Sequence, residues 1–377
     1  MKLRVGVDAT TLANTRGFGR FTGELLRAMM PDADGVEWIL FADARAAEQA
    51  RAVAQSAPNA RVVLVPQSVS PTVAAASDGN RSPFDMLRFT RAVYGEHLDV
   101  FFSPAVYAYF PMPPGVPTLV CMHDTIAERF PELTLPSPRA RTFWKLKSKL
   151  AIAQSRLVLT VSDFSARELT KFYGIAPSRI RVALEAPAEA YTPSHDLAAM
   201  TSLARSHGIP DGARWFTYVG GFNPHKHVDV LVSAHARVVR ETGLSPHLLL
   251  VGSLTDVFHG NIDAIRARID DAGTAALVHW AGYVPDADLR HLLSGAVANV
   301  LASECEGLGL PAIEAAACGT PVIATTESPL PELLPGAGHF VAPRDEDALV
   351  RAMIRLLTDA DHHAACAEAA LAGANRL

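Results

Sequence analysis

The run Val297-Ala298-Asn299-Val300-Leu301, followed by Ser303-Glu304-Cys305-Glu306-Gly307-Leu308-Gly309-Leu310-Pro311-Ala312-Ile313-Glu314, decides the fold. Its mostly apolar first five residues read as a strand covered on both sheet faces. Two glycines then let the backbone turn sharply and come close to a ligand. Pro311 suits the first helical position, where its missing N–H costs nothing, and Gly319 and Pro321 stop the helix after about two turns. Strand, glycine turn and short helix in this order aim a helix N-terminus at the space beyond the carboxyl edge of a parallel sheet, where open α/β folds bind ligands. Backbone N–H groups near Gly309 and Leu310 attract phosphate there. Glu306 lies in the loop and Glu314 about one turn inside the helix, so both carboxylates can flank one ligand, and carboxylates accept sugar hydroxyls well. Read alone, Glu314 is equally a charge stabilised by the helix dipole.

Outward from this segment, short runs rich in Val, Leu and Ile alternate with longer amphipathic stretches along all 377 residues. That alternation predicts an α/β fold with parallel sheets. Strands are expected at Leu3–Val7, Glu37–Phe41, Arg61–Val65, Asp99–Phe102, Thr118–Cys121 and Leu157–Val161, and again at Trp215–Val219, His247–Val251, Leu277–Trp280, Val297–Leu301, Pro321–Ala324 and His339–Val341. Two similar halves result. Glu185–Ser194 carries two prolines and no helical or strand period, which places a hinge there and domains over residues 1–186 and 187–377. Ser162 and Gly174 read as the two caps of one helix, and Asp286 and Asp345 as starts of two others. Gln67–Pro83, rich in Ser, Ala, Pro and Gly, is long for a connection and reads either as a loop at a binding face or as a tolerated insertion.

Composition excludes several classes. Apolar residues make up 49% and charged residues 19%, which is a globular composition. A net charge of −5 provides no global basic field, so a nucleic-acid partner is not expected and any bound anion must be held locally. Cys121, Cys305, Cys318 and Cys366 form no C-x-x-C pair and no cluster of metal-ligand spacing, which points to a reducing compartment and to no metal. Met1–Asp8 reads as a strand, not a signal peptide, and no apolar run approaches the roughly 18 residues of a membrane span. The expectation is a cytoplasmic protein.

Four further segments carry chemistry. Phe216–His227 runs from a strand into Gly220-Gly221, Asn223 and Lys226, whose ammonium reads as a phosphate contact beside the glycine turn or as a solvated surface lysine. His225 and His227 have H-x-H spacing but no third ligand. Asn14–Leu26 holds Gly17, Gly19, Arg20 and Gly23; the third glycine comes one place late for a dinucleotide loop. His123-Asp124 ends a strand, a position where active-site residues often lie in this architecture. Arg139–Leu150 is the one local basic run: Arg141, Lys145 and Lys149 recur every fourth residue, with Phe143, Leu146, Leu150 and Ala153 as an apolar stripe. It reads as a surface helix or as a contact for anionic lipid or a lipid-linked acceptor at the inner face of the membrane.

Over nearly its whole length the sequence resembles the family-4 retaining glycosyltransferases of the GT-B fold. Their signature, two glutamates separated by seven residues within E-G-x-G-L-P-x-x-E-A, is matched in full by Glu306 and Glu314. The resemblance implies two Rossmann-like domains facing across a cleft, the acceptor on the first and a nucleotide-sugar donor on the second. It implies that Glu314 accepts from the ribose hydroxyls, that Glu306 contacts the donor sugar, and that the Gly307–Leu310 backbone, with Gly309, approaches sugar and phosphate. Gly221, Asn223 and Lys226 join this donor set through similarity to a G-G/T-x-x-P-R-K-N pattern, in which His225 replaces the usual Arg. Gly17, Gly19 and Arg20 resemble the family's G-x-G-R-[FY] loop. The H-D pair implies sugar positioning and oxocarbenium stabilisation by His123, with Asp124 as support or acceptor contact.

No cofactor beyond the donor is implied. Similarity to bacterial mannosyltransferases of surface polysaccharide assembly points to GDP-mannose, with UDP- and dTDP-sugars as alternatives, and to a glycan or lipid-linked acceptor. A nucleotide-sugar epimerase or hydrolase on the same scaffold, or a binding protein without turnover, are the rival readings. Relatives usually continue beyond a stretch like Ala364–Leu377 into a terminal helix that crosses back to the first domain, whereas this sequence stops at Asn375-Arg376-Leu377.

Overall fold

A computed structural model describes residues 2–14, 17–69, 82–135, 137–254 and 261–377. The apolar runs of the first half pair as a seven-stranded parallel sheet of β1 (Leu3–Asp8), β2 (Val36–Ala42), β3 (Ala60–Leu64), β4 (Val100–Ser103), β5 (Thr118–Cys121), β6 (Leu157–Thr160) and β7 (Ile180–Val182), in the order β3-β2-β1-β4-β5-β6-β7. Those of the second half form a six-stranded parallel sheet of β8 (Trp215–Val219), β9 (His247–Val251), β10 (Val278–Gly282), β11 (Ala298–Leu301), β12 (Val322–Thr325) and β13 (Gly338–Val341), in the order β10-β9-β8-β11-β12-β13. The two sheets belong to compact units spanning Met1–Ala183 and Leu184–Leu377.

Among the described residues, helices of two turns or more lie in connections between strands and, twice, after β13. They are α1 (Phe18–Met29), α2 (Ala47–Ala54), α3 (Pro83–Gly95), α4 (Pro138–Gln154), α5 (Asp163–Tyr173), α6 (Leu197–Ser206), α7 (Val228–Thr242), α8 (Ile262–Asp271), α9 (Asp286–Ser294), α10 (Leu310–Ala317), α11 (Glu346–Thr358) and α12 (Ala360–Ala374). In each sheet the chain winds outward from a central strand and then returns to that strand's other side, β1 to β4 and β8 to β11. A crevice for ligand forms at the carboxyl ends of such a reversal. In the second unit the two chain segments leaving β8 and β11 are the ones that the sequence marks chemically. Asn299, the polar residue of the β11 run, is fully buried, and its amide nitrogen donates to the Thr217 hydroxyl of β8 at 3.2 Å inside the sheet.

Ser162 caps α5, accepting from the N–H of Ser165, and Gly174 ends that helix in the left-handed conformation; Asp345 caps α11. Three details differ from the sequence reading. Asp286 is not a cap: Pro285 precedes α9, and the Asp286 carboxylate accepts the Tyr191 hydroxyl at 2.8 Å. Pro311 occupies the second helical position, because Leu310 opens α10. Strand β7, three residues long, is too short to show a period and forms by pairing with β6. Residues 70–81 of the Gln67–Pro83 segment lie outside the described residues.

Candidate active site

Gly220 continues from β8 and donates its N–H to Val251 at 3.0 Å. Phe222, buried and packed on Tyr218 and Trp280 at ring distances of 5.8 and 5.1 Å, anchors the loop to the sheet. From this anchor Asn223 leads into a single 3-10 turn, Pro224–Lys226. Gly221 accepts the Tyr218 hydroxyl through its carbonyl. Gly252, at the end of β9, packs so closely beneath this loop that a Cβ there would stand 2.0 Å from the Gly220 carbonyl oxygen. The sequence reading did not single out Gly252, although the signal, a glycine directly after a strand, was present.

On the neighbouring strand, Ser303 to Glu306 leave β11. The Glu306 carboxylate receives Lys226 Nζ at 2.7 and 2.9 Å on its two oxygens and the Ser303 hydroxyl at 2.6 Å. Glu306 is 7% exposed, and the Lys226 side chain 20%. The loops are also joined through backbone, Glu304 N–H to the His225 carbonyl at 2.8 Å and Glu306 N–H to the Glu327 carbonyl at 3.0 Å. Taking a carboxylate and an ammonium out of water together is tolerable only with such additional hydrogen bonds. The arrangement fixes the ammonium before any ligand arrives.

Gly309, in the left-handed region at φ 83°, is the N-cap of α10, which has no side-chain cap. Gly307 and Leu310 flank it, and Glu314 is buried on the fifth residue of the helix. Lys226 and Glu306 are therefore brought into contact across 80 residues of sequence, and Gly221, Asn223, Gly307, Gly309, Leu310 and Glu314 lie on the same two segments. His225 does not supply the cation of the Arg it replaces. Burial, reinforced by the charges of Lys226 and His227, pulls its pKa down to about 3, so the ring is neutral at pH 7.

His123, Asp124, Gly17, Gly19 and Arg20 belong to the first unit. His123 Nε2 donates to the Pro104 carbonyl at 3.0 Å, and the ring stands edge-on to Phe21 of α1 at 4.7 Å. Burial lowers the His123 pKa to about 4 against the opposing pull of the Pro104 carbonyl, so this imidazole too is neutral at pH 7. Asp124 accepts the Ile126 N–H at 2.9 Å. Gly17 is the N-cap of α1, and at Gly19 a Cβ would lie 1.7 Å from the Asn14 carbonyl oxygen, so only glycine lets the helix start against the loop backbone. Arg20 follows on α1.

The basic run forms the first three turns of α4, which holds five cations and no acidic residue. Ser148, Ala151 and Ile152 face the core, while Phe143, Leu146 and Leu150 face outward, 47, 54 and 43% exposed. Trp144 is turned inward, its indole N–H donating to Glu128 at 2.6 Å. Among the described residues, no group of three His, Cys, Asp or Glu side chains is placed to hold a metal, and no helix is long and apolar enough to cross a membrane.

Two family models match the chain, Glycosyl transferases group 1 over residues 200–372 and Glycosyltransferase Family 4 over residues 15–183. The O-antigen chain mannosyltransferase B of Escherichia coli is 30% identical over 238 residues, 63% of this chain and 60% of that protein. The chain spans between about half and three fifths of the length of the curated relatives it matches. Among solved structures, the sucrose-phosphate synthase of Thermosynechococcus elongatus superposes with a TM-score of 0.75 at 17% identity, over 100% of this chain and 95% of that one. Anabaena HepE in complex with UDP and glucose superposes with a TM-score of 0.73 at 18% identity, over the same shares of the two chains.

Proposed function

The chain belongs to the family-4 glycosyltransferases of the GT-B fold, and from that membership we propose that it moves a hexose from a nucleotide diphosphate sugar to a hydroxyl acceptor with retention at the anomeric carbon. The observation that carries this reading is the Lys226–Glu306–Ser303 network at the carboxyl edges of β8 and β11, on the loop that enters α10. In the reaction the bond from the anomeric carbon to the phosphate oxygen breaks, and the acceptor oxygen bonds the same carbon from the same face. The electron pair stays on the diphosphate, which takes the acceptor's proton. Positive charge grows on the sugar ring and negative charge on the leaving group. Lys226 and the N-terminus of α10 oppose the latter in fixed positions, with no reorganisation at the moment of reaction.

Glu306 aligns Lys226 and faces the sugar, and Glu314 accepts from the ribose. Gly221, Asn223, Gly307, Gly309 and Leu310 provide the backbone surface for the donor. Neutral His123, oriented by Pro104, presents a ring dipole to the sugar, while Gly17, Gly19, Arg20 and Asp124 serve the donor's and acceptor's approach on the first unit. GDP-mannose is the donor this reading favours, supported by the mannosyltransferase relative. A thermal-shift panel of GDP, UDP and dTDP tests the base, followed by nucleotide release with and without glycan acceptors. Release that does not need an acceptor replaces transfer by hydrolysis or epimerisation, and binding without release leaves a binding protein. Glu314→Ala is expected to weaken nucleotide binding about 10- to 100-fold, the worth of charge-assisted hydrogen bonds, read by calorimetry. Unchanged affinity removes Glu314 from the ribose.

The outward face of α4 supports a peripheral site at the inner face of the membrane, where a lipid-linked acceptor would be held. Five cations, on a helix with no acidic residue, accompany apolar side chains that the core does not use. Helix α3 adds exposed Phe84, Leu87 and Tyr94 beside Arg88 and Arg91. Both helices fasten to one segment on the same side of the first sheet, Thr90 to the Pro111 carbonyl and Gln154 to the Phe110 carbonyl. The double variant Lys145→Glu, Lys149→Glu is expected to lower cosedimentation with phosphatidylglycerol vesicles at least about 10-fold, since each surface cation is worth about 1 kcal/mol. Equal binding to neutral phosphatidylcholine vesicles by both proteins excludes the charge-led contact.

A further inference from the structure

Among the described residues three that are not glycine have positive φ: His97, His227 and Arg344, at 48, 47 and 62°. A side chain with a Cβ adopts this conformation at a cost and keeps it only where the surroundings over-determine it. Two of the three meet at one carboxylate. His227 Nε2 donates to Glu304 Oε2 at 2.6 Å, and Arg344 Nε donates to the same oxygen at 2.6 Å. Glu304 is mostly buried, with its side chain 14% exposed. Its own N–H holds the His225 carbonyl, so backbone and side chain clamp both neighbours of Lys226.

The three residues come from three different connections. His227 is the N-cap of α7 and makes no side-chain cap there, because its ring is turned toward Glu304. Glu304 precedes Glu306 by two residues on the loop after β11. Arg344 forms the turn between β13 and α11, whose cap Asp345 is the next residue. Helices α7 and α11 are themselves tied by Arg237, at 3.1 Å from Glu346 and 2.6 Å from Asp347. The strained turns at both ends of the Glu304 contact are therefore held on rigid elements.

We infer that Glu304, His227 and Arg344 form a brace that keeps Lys226 on Glu306, making Glu304 and Arg344 positioning residues for the ammonium that meets the leaving diphosphate. The brace is a property of the fold, while its effect on rate rests on the donor reading above. An ammonium on four methylenes wanders unless its backbone is fixed, and displacement of a charge by about 1 Å from the developing anion costs on the order of 10²-fold in rate. Arg344 acts through Glu304 and through His227, whose Nε2 stands 3.3 Å from its Nε.

Arg344→Gly is the informative variant, since glycine adopts φ 62° without strain and the turn survives the loss of the side chain. Glu304→Gln removes the shared charge at constant size, and Arg344→Lys restores a cation. Each full-length variant is assayed for donor turnover, for thermal midpoint and for the rate of reductive methylation of Lys226 relative to exposed Lys145, read by peptide mass spectrometry. Arg344→Gly and Glu304→Gln are expected to lower kcat about 10-fold with donor KM within about twofold, and to speed Lys226 methylation about fivefold at an unchanged midpoint. Arg344→Lys recovers part of both. Wild-type labelling and turnover in both variants overturn the brace, as does reduced turnover with unchanged labelling. Faster labelling with unchanged turnover overturns its part in the reaction. Should the native protein consume no nucleotide sugar, the donor reading falls, and the labelling alone decides the brace.

Discussion

Lys226→Ala is expected to lower turnover at saturating donor by about 10²–10³-fold, the usual cost of removing one preorganised group that faces developing charge. The ammonium sits in place before substrate binds, at 2.7 and 2.9 Å from the two Glu306 oxygens. In the proposed reaction its interaction would strengthen as the diphosphate gains charge, without the cost of being recruited from water. The adjacent His225 imidazole does not replace it, being neutral at pH 7. Affinity for the free nucleoside diphosphate should fall as well, since the product carries the charge that the transition state develops. Initial rates of nucleotide release and calorimetry of the product complex check both. A rate within about threefold of the native one would show that Lys226 lies outside the chemistry.

Glu306→Gln should lower turnover by about 10²-fold but act on product binding with the opposite sign. Glutamine keeps the shape and the Ser303 contact while releasing the ammonium from its counter-charge. Lys226 then meets the diphosphate without competition, and the free nucleoside diphosphate binds about 10-fold more tightly even as transfer slows. The double variant Lys226→Ala, Glu306→Gln should cost little more than Lys226→Ala alone, because the two side chains act as one unit, with a coupling of about 1–3 kcal/mol in the cycle. Additive losses, or weaker product binding in Glu306→Gln, would mean that the carboxylate works on the sugar independently of the ammonium.

The strands and the caps at Ser162, Gly174 and Asp345 are legible in the sequence because apolar period, side-chain oxygens and left-handed glycines act within a few residues. The E-G-x-G-L-P-x-x-E-A run is legible for the same reason: it is one turn and one helix start. Asp286 was misread because its carboxylate is claimed by Tyr191, 95 residues away, which no local pattern reveals. The stripe Phe143, Leu146 and Leu150 has the spacing of a buried face and is the exposed one. Periodicity reports that a helix has two faces, and the packing of Ser148, Ala151 and Ile152 decides which of them is covered.

By itself the sequence determined that this is a two-part α/β protein with parallel sheets, since turns, strands and helix starts are set by neighbours in the chain, and its E-G-x-G-L-P-x-x-E-A run carries the resemblance to the family-4 glycosyltransferases. The tertiary structure alone decided that Lys226 is held by Glu306, that His123 and His225 are uncharged, and that Arg344 reaches Glu304. Those facts depend on strand order, which sets β8 beside β11 and β13 two places further on, and on burial, which sets the local dielectric. Neither quantity is written in any short stretch of residues.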